Sequence, residues 1–348
     1  MPQLRPTLRV LAAEAGVSLT TMSLALRSSP EISRATAVRL QRLATARGYR
    51  PDPHIAKLMS HLRMKAPARA AANICGLTQH WGLSRLHYKG NYGERLSTGL
   101  RARAQSLGYT FSTINIDEYP QPSQLQRVLV SRGIEGLLLL PMRTPIDLSN
   151  RLDWRMFSTV SVTSSILAPQ FHSVTPHHFD NMVRACRNLT QAGFRRIGLA
   201  MSKDWDTRSN HRWTGGFAWH NQFGGTEAVQ PLIEDRPGPS LDPAMFKHWL
   251  LRERPDAVIL ETVDSPTLDE AARALPKRQR PKIVAMHWPN PGADCGIDQR
   301  VERIGTVAVE VLAAMLNRGE KGIPDSPSST MIDGQWRPGK LASSKRRA

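Results

Sequence analysis

Four short groups of residues carry side chains able to hold a small polar molecule. Residues 196–201 are followed by Trp205, Asp206, Arg208, Arg212 and Trp213, and residues 282–286 by His287-Trp288. Glu261-Thr262 follows 257–260, and Gln79-His80-Trp81 follows the apolar run at 74–77. Indole faces cover apolar carbon while guanidinium, imidazole and hydroxyl groups fix a polar rim, a combination suited to a sugar or another flat polar ligand. His80, Trp81, Trp205, Arg208, Arg212, Thr262, His287 and Trp288 are the candidate binding residues, although each tryptophan serves equally well in core or interface packing. Bond-making chemistry is not indicated. GxSxG, HExxH, a Walker loop and a GxGxxG after a strand are all missing from the sequence. His177 and His178 are adjacent, so they do not place two metal ligands on one helical face. No carboxylate pair suggests a glycosidase, and no cofactor or metal is expected.

The elements that must carry these groups alternate. Short apolar runs at 74–77, 110–114, 136–140, 159–163, 196–201, 257–260 and 282–286 read as strands. Amphipathic stretches at 90–108, 123–132, 181–192, 215–223, 243–252 and 268–274 read as helices between them. Such β-α alternation predicts parallel sheets covered on both faces, and two series predict two lobes. Ligands of such sheets lie beyond the carboxyl ends of the strands, here a cleft between the lobes.

The N-terminal end is different in kind. Of 348 residues, 47 are Lys or Arg and 29 Asp or Glu, a net charge of +18. Residues 1–70 alone hold twelve basic side chains against Glu14, Glu31 and Asp52, half of the excess in a fifth of the chain. Such a block implies a polyanionic partner. Within it, Leu8, Leu11, Ala12 and Ala15 have helical spacing behind a Thr7 cap, and Gly16 ends the helix. Ser18 caps a second helix through Leu26, and Ser33 a third that Gly48 stops. Two short helices around a glycine turn form a helix-turn-helix. Placing Met22 and Leu26 inward turns Thr20, Leu24 and Arg27 outward, flanked by Leu19 and Ser23, the face that enters a major groove.

The sequence also resembles the lactose/galactose repressor (LacI/GalR) family. Thr7-Leu8, Ala12, Ala15-Gly16-Val17-Ser18, Thr21-Met22-Ser23 and Leu26 match its opening signature without a gap. Ile32-Ser33, Thr36, Val38 and Gly48-Tyr49-Arg50-Pro51-Asp52 continue it. The resemblance implies DNA contacts from Thr7, Ser18, Leu19, Thr20, Thr21, Ser23, Leu24, Arg27, Ser33 and Tyr49. It further implies a hinge helix at about 51–59 whose Leu58 wedges into the minor groove. More thinly, residues 131–139, Gly193-Phe194-Arg195-Arg196-Ile197-Gly198 and 304–312 resemble the family's effector-binding body. Four departures matter. Leu24 stands where a base-reading arginine is common, which predicts a weaker guanine dependence at that base. Val10 replaces a common acid. His177-His178 and His287-Trp288 replace an Asp-Asn pair and an acid, which weighs against a simple pentose or hexose.

The expected architecture is an N-terminal all-α helix-turn-helix domain plus an α/β periplasmic-binding-protein-like body of two doubly wound parallel-sheet lobes. The expected boundaries are 1–59 for DNA binding, 60–72 for a basic linker, 73–340 for the body and 341–348 for a basic tail. Lobe one takes 73–175 and 300–325, lobe two 176–299 and 326–340. The expected function is a homodimeric regulator of transcription, a repressor by preference, bound to a palindromic operator in double-stranded DNA. An effector in the cleft, a sugar or related polar metabolite, would set its affinity in either direction. The longest apolar stretches fall short of the ~18 residues that span a bilayer, and the N-terminal pattern is not that of a signal peptide, so a cytoplasmic protein without membrane contact is expected. Cys75, Cys186 and Cys295 lie too far apart in sequence to suggest a disulfide framework. The alternatives are a small-molecule-binding protein without specific DNA recognition and a carbohydrate-active enzyme.

Overall fold

The computed structural model describes residues 6–26, 32–49, 72–79, 91–142, 144–235, 241–261 and 275–341. The expected hinge helix, residues 60–71 of the linker, the helix at 268–274 and residues 342–348 of the tail lie outside them.

Local rules set the N-terminal unit. Helix α1 (Leu8–Glu14) starts at Thr7, whose hydroxyl accepts the Val10 N–H at 3.4 Å. Gly16, at φ +66°, turns the chain into α2 (Leu19–Leu26), and Ser18 Oγ accepts the Thr21 N–H at 3.0 Å. Ser33 caps α3 (Arg34–Ala46) through the Thr36 N–H at 3.2 Å. Leu11, Ala12, Met22, Ala25, Leu40 and Ala44 form the shared core. The expected wheel is therefore rotated: Ala25 joins Met22 inside, Leu26 packs at the margin, and Leu24 is half-buried rather than fully outward. Gln41 Nε2 donates to Ala25 O at 2.8 Å, and Arg47 pairs with Glu14, so α3 grips both other helices.

The first lobe is built on a parallel sheet. Its strands are β1 (Asn73–Thr78), β2 (Thr110–Asn115), β3 (Ile134–Leu139), β5 (Ser158–Ser161) and β7 (His172–Pro176), ordered β2-β1-β3-β5-β7. Two minor strands, β4 (Ile146–Asp147) and β6 (Ile166–Ala168), pair beside it. Helix α4 (Tyr92–Ser106) packs on one face and α5 (Pro122–Ser131) on the other, each adding leucines to a buried cluster.

The second lobe repeats the plan. Helix α6 (His178–Gln191) leads to β8 (Ile197–Ser202), α7 (Lys203–Arg208) and α8 (Arg212–Phe223). Then follow β9 (Leu232–Glu234), α9 (Pro243–Glu253), β10 (Ala257–Leu260), β11 (Lys282–Ala285) and β12 (Cys295–Asp298). The parallel order is β9-β8-β10-β11-β12. The segment after β8, to which the sequence assigned no element, is the short helix α7. The chain returns to lobe one as α10 (Val301–Arg318), and β13 (Ser329–Ile332) pairs with β7 in the first sheet. Only β14 (Gln335–Arg337), antiparallel to β12, completes the second. Residues 328–332 thus lie in lobe one rather than with 335–337 in lobe two, because the free edge of β7 accepts them.

The chain passes between lobes three times, at 176–178, 298–301 and 332–335. Gly334 N donates to Asn181 Oδ1 at 2.8 Å, and a Cβ there would sit 2.5 Å from that oxygen. In lobe one, α4 and α10 touch through glycine: a Cβ on Gly99 would lie 2.1 Å from Glu302 O. Gly99→Ala gains ~1 kcal/mol of helix propensity at most. The backbone shift it forces costs about 1–3 kcal/mol, and more where the obstacle is another helix's carbonyl. We expect a net drop in the denaturation midpoint of the body; an unchanged midpoint would mean the two helices separate freely. No helix among the described residues is long and apolar enough to cross a membrane.

Candidate functional site

The N-terminal unit offers a polar face on α2. Leu19 and Thr20 are exposed, while Thr21, Ser23 and Leu24 are half-buried. The hydroxyls of Thr7, Ser18 and Ser33 are engaged as helix caps, and Ser18 Oγ also meets Thr21 Oγ1 at 2.8 Å. These three residues therefore set where helices begin. Tyr49 packs against the three-helix core from its margin. Arg27 and Leu58 lie outside the described residues.

The second constellation lies between the lobes, where residues following β8 and β11 meet the first turns of α4 and α6. Trp205 and His287 approach with ring centroids 5.4 Å apart, and Tyr92 of lobe one sets its edge against His287 at 5.3 Å. The Arg208 guanidinium lies over Trp205, 4.3 Å from the ring centroid. His178 tilts against the buried Trp213 at 5.0 Å, and Arg212 Nη1 reaches Thr175 Oγ1 at 3.5 Å. Arg208 ends α7 and Arg212 starts α8, joined through Asn210 and His211, both in the left-handed region at φ 53° and 56°. Left-handed backbone at such residues costs on the order of 1–3 kcal/mol each. Asp206 offsets that cost by taking His211 Nδ1 at 2.7 Å and the Thr214 hydroxyl at 2.7 Å.

One hydrogen-bond chain settles the state of His287. Gln299 Nε2 donates to the Met286 carbonyl at 2.7 Å, so the amide's nitrogen must be the atom pointing there. The same nitrogen lies 2.9 Å from His287 Nδ1. Nδ1 is then the acceptor, and Nε2 carries the proton.

Burial pushes His287 down to about 4, helped by Arg208 and Arg95. It pushes His178 down to about 3, helped by His287, Arg212 and His177. Burial also raises the Tyr92 hydroxyl to about 12 and lowers the Arg208 guanidinium. An unfolded chain takes up these histidine protons as pH falls below about 6.5 while the folded body does not. Stability is full above that pH and is lost on acidification toward 4. The expected loss at pH 5 is about 2 kcal/mol for each histidine. Denaturant midpoints measured between pH 7 and pH 5 should fall accordingly, and less steeply in His287→Gln. Equal slopes in the two proteins would mean that His287 titrates normally.

Of the sequence candidates, Trp205, Arg208, Arg212 and His287 come together. The Trp288 indole packs against the second-lobe core near Gly339, and the part of Trp288 that meets lobe one is its carbonyl, held by Arg95 Nη1 at 2.7 Å. His80, Trp81 and Thr262 lie outside the described residues. The adjacent histidines separate: His177 pairs with Asp333 at 3.0 Å where the chain crosses between lobes, and His178 enters the cleft. Tyr92, Arg95 and Gln299 were not singled out from sequence. Tyr92 had one usable signal, its place in the first helix after a strand.

No family model matches the chain. Over 199 residues it is 24% identical to the HTH-type transcriptional repressor CytR of Escherichia coli strain K12, covering 55% of this chain and 52% of that protein. The chain thus matches about half the length of these curated relatives. Among solved structures, the regulator CelR in complex with cellobiose superimposes with a TM-score of 0.54 at 16% identity, over 95% of this chain and 98% of that one. The Lac repressor dimer bound to operator and the anti-inducer ONPF gives 0.52 at 17%, over 97% and 100%. CcpA of Lactococcus lactis gives 0.55 at 14%, over 77% and 100%. The chain is thus similar over about half its length to a transcriptional repressor, and it shares the fold of the Lac repressor.

Proposed function

We propose that this protein is a sequence-specific, DNA-binding regulator of transcription, acting in the cytoplasm as a repressor and controlled by a small molecule held between its lobes. The observation that carries the reading is the pairing of two sites in one chain. A capped helix-turn-helix with an exposed α2 face stands in the most basic fifth of the sequence. A two-lobed body follows, with aromatic and cationic side chains gathered at its strand ends. In this reading residues 1–59 bind DNA and 73–340 hold the effector and dimerise. Leu19, Thr20 and Leu24, with Arg27, read bases, while Thr7, Ser18, Thr21, Ser23, Ser33 and Tyr49 order the unit or contact phosphate. Leu58 is the minor-groove wedge.

Two protomers would place two recognition helices in successive major grooves, which calls for a palindromic site. That the Lac repressor is seen as an operator-bound dimer and CelR with cellobiose supports this reading by analogy. Ligand binding and DNA binding are then coupled, typically by ~1–3 kcal/mol and reciprocally. Selection of duplexes from a random DNA pool with the full-length protein, at two salt concentrations, tests it. A palindrome that survives the higher salt is expected. Binding without enrichment that collapses with salt would reduce the N-terminal unit to phosphate attraction and favour a plain small-molecule binder.

A further inference from the structure

The cleft is lined by polar atoms that have nothing to bond. Trp205 Nε1, Arg208 Nε, His287 Nε2 and His178 Nδ1 are all buried without a hydrogen-bond partner among the described residues. The first two are donors in every state, and the Gln299 amide makes His287 Nε2 a third. A buried donor left unsatisfied is costly, so three together call for an occupant that supplies acceptors. Of the orphaned atoms that can accept, Gln299 Oε1 belongs to the amide on the Nδ1 side of the His287 imidazole, away from Nε2, and His178 Nδ1 lies beside Trp213.

Among the described residues, three nearby carboxylates are already committed elsewhere. Asp298 and Glu302 are held by Arg95, and Asp298 also by Arg337. Glu261 lies against Ser202 N and Oγ at 3.4 and 3.5 Å. A neutral polyol would bring a donor with every acceptor and find few places for the donors. Beside the balanced Arg95 network, Arg208 and Arg212 stand with Glu261 and Asp204, so the surrounding charges balance. A single negative charge is then held by the orphaned donors, and a dianion would add a second with no cation for it. Trp205, Tyr92 and His287 supply ring faces and edges for a flat body.

We propose that the interlobe cleft takes a small monocarboxylate carried on a ring, its carboxylate received by Trp205 Nε1, Arg208 and His287 Nε2. The inference rests on the reading of the cleft as a ligand site. Carboxylate oxygens only accept, and hydrogen bonds to a charged acceptor are about twice as strong as neutral ones. The ring can belong to a sugar acid or an aromatic acid, and matched pairs of probes distinguish them.

Calorimetric titration of the full-length protein with galacturonate against galactose, and benzoate against benzamide, is the test. In one pair at least, the acid is expected to bind ten-fold or more tightly than its neutral partner, and which pair does so identifies the ring. Arg208→Gln should weaken that acid at least ten-fold, and Trp205→Phe, which keeps a ring and removes the donor, several-fold, both with unchanged circular dichroism. The proposal is overturned by a neutral partner that binds as well as its acid or by glucose 6-phosphate binding more tightly than either acid. It is equally overturned by no binding of any probe, or by Arg208→Gln leaving the acid's affinity within two-fold. Operator affinity measured with and without the bound acid separates the two readings. An acid that binds but leaves DNA affinity unchanged keeps the carboxylate site and removes its role as effector site. A neutral galactose that shifts DNA affinity does the reverse.

Discussion

Replacing Leu19 and Thr20 together by glutamate is expected to lower affinity for a selected duplex at least 100-fold while leaving the N-terminal unit folded. Both side chains are exposed, and neither belongs to the core of Leu11, Met22, Ala25 and Leu40. The Ser18 cap is untouched, and carboxylates in a first turn favour the helix dipole by ~0.3–1 kcal/mol, so stability should hold or rise slightly. On DNA the same charges face phosphates and acceptor-rich base edges. Each lost base contact costs ~1–3 kcal/mol, and two suffice for a 100-fold loss before repulsion is added. Fluorescence anisotropy at one fixed salt concentration reads the affinity, and the melting curve of the variant reads the fold. Retained affinity with an intact fold would remove α2 from the groove and move recognition to another part of the basic block.

The N-terminal unit was legible because short-range chemistry sets it. Hydroxyls at Thr7, Ser18 and Ser33 and glycines at 16 and 48 begin and end helices by rules that span four residues. In α2 Leu26 packs at the core margin, and Ala25, whose carbonyl accepts Gln41 Nε2 of α3, joins Met22 inside. Elsewhere, long-range contacts decide. Residues 203–208 are polar apart from Trp205, and Asp206 anchors the turn that follows α7. Ser329–Ile332 is largely exposed and shows no alternation of burial; it becomes a strand only where β7 offers an edge. The cleft divides in the same way. Trp205, Arg208 and His287 were legible since each closely follows a strand. Arg95 was not, because its partners lie about two hundred positions away, Glu302 in its own lobe and Asp298 and Trp288 across the gap.

Those partners make Arg95 the position where a single substitution should most disturb the body. Its Nε and Nη2 grip both Glu302 oxygens at 2.6 and 2.7 Å, within lobe one. Nη2 also reaches Asp298 Oδ1 at 2.9 Å and Nη1 the Trp288 carbonyl at 2.7 Å, both in lobe two. One half-buried guanidinium therefore ties α4 and α10 to the opposite lobe beside the cleft. Arg95→Met keeps much of the apolar stem and removes every one of these bonds. Breaking a buried pair from one side costs ~3–5 kcal/mol. Glu302 is more open than that, and Asp298 keeps Arg337 at 3.1 Å and the Arg300 N–H at 3.0 Å, so about 2–3 kcal/mol is the expected loss here. The pH dependence identifies the cause. The Arg95 bond lowers the Glu302 carboxyl, and at Asp298 it and its neighbours outweigh a burial effect of opposite sign. Carboxyls held low stabilise the fold above their ordinary range and lose that contribution as pH falls through their folded values. Wild type and variant should therefore differ most near neutrality and converge in acid. A gap that persists at pH 3 would assign the loss to packing. The lobes should also separate more readily in the variant, seen as a larger radius of gyration in X-ray scattering. Unchanged scattering together with unchanged coupling between ligand and DNA would mean that Arg95 holds α4 to α10 and takes no part in closing the cleft.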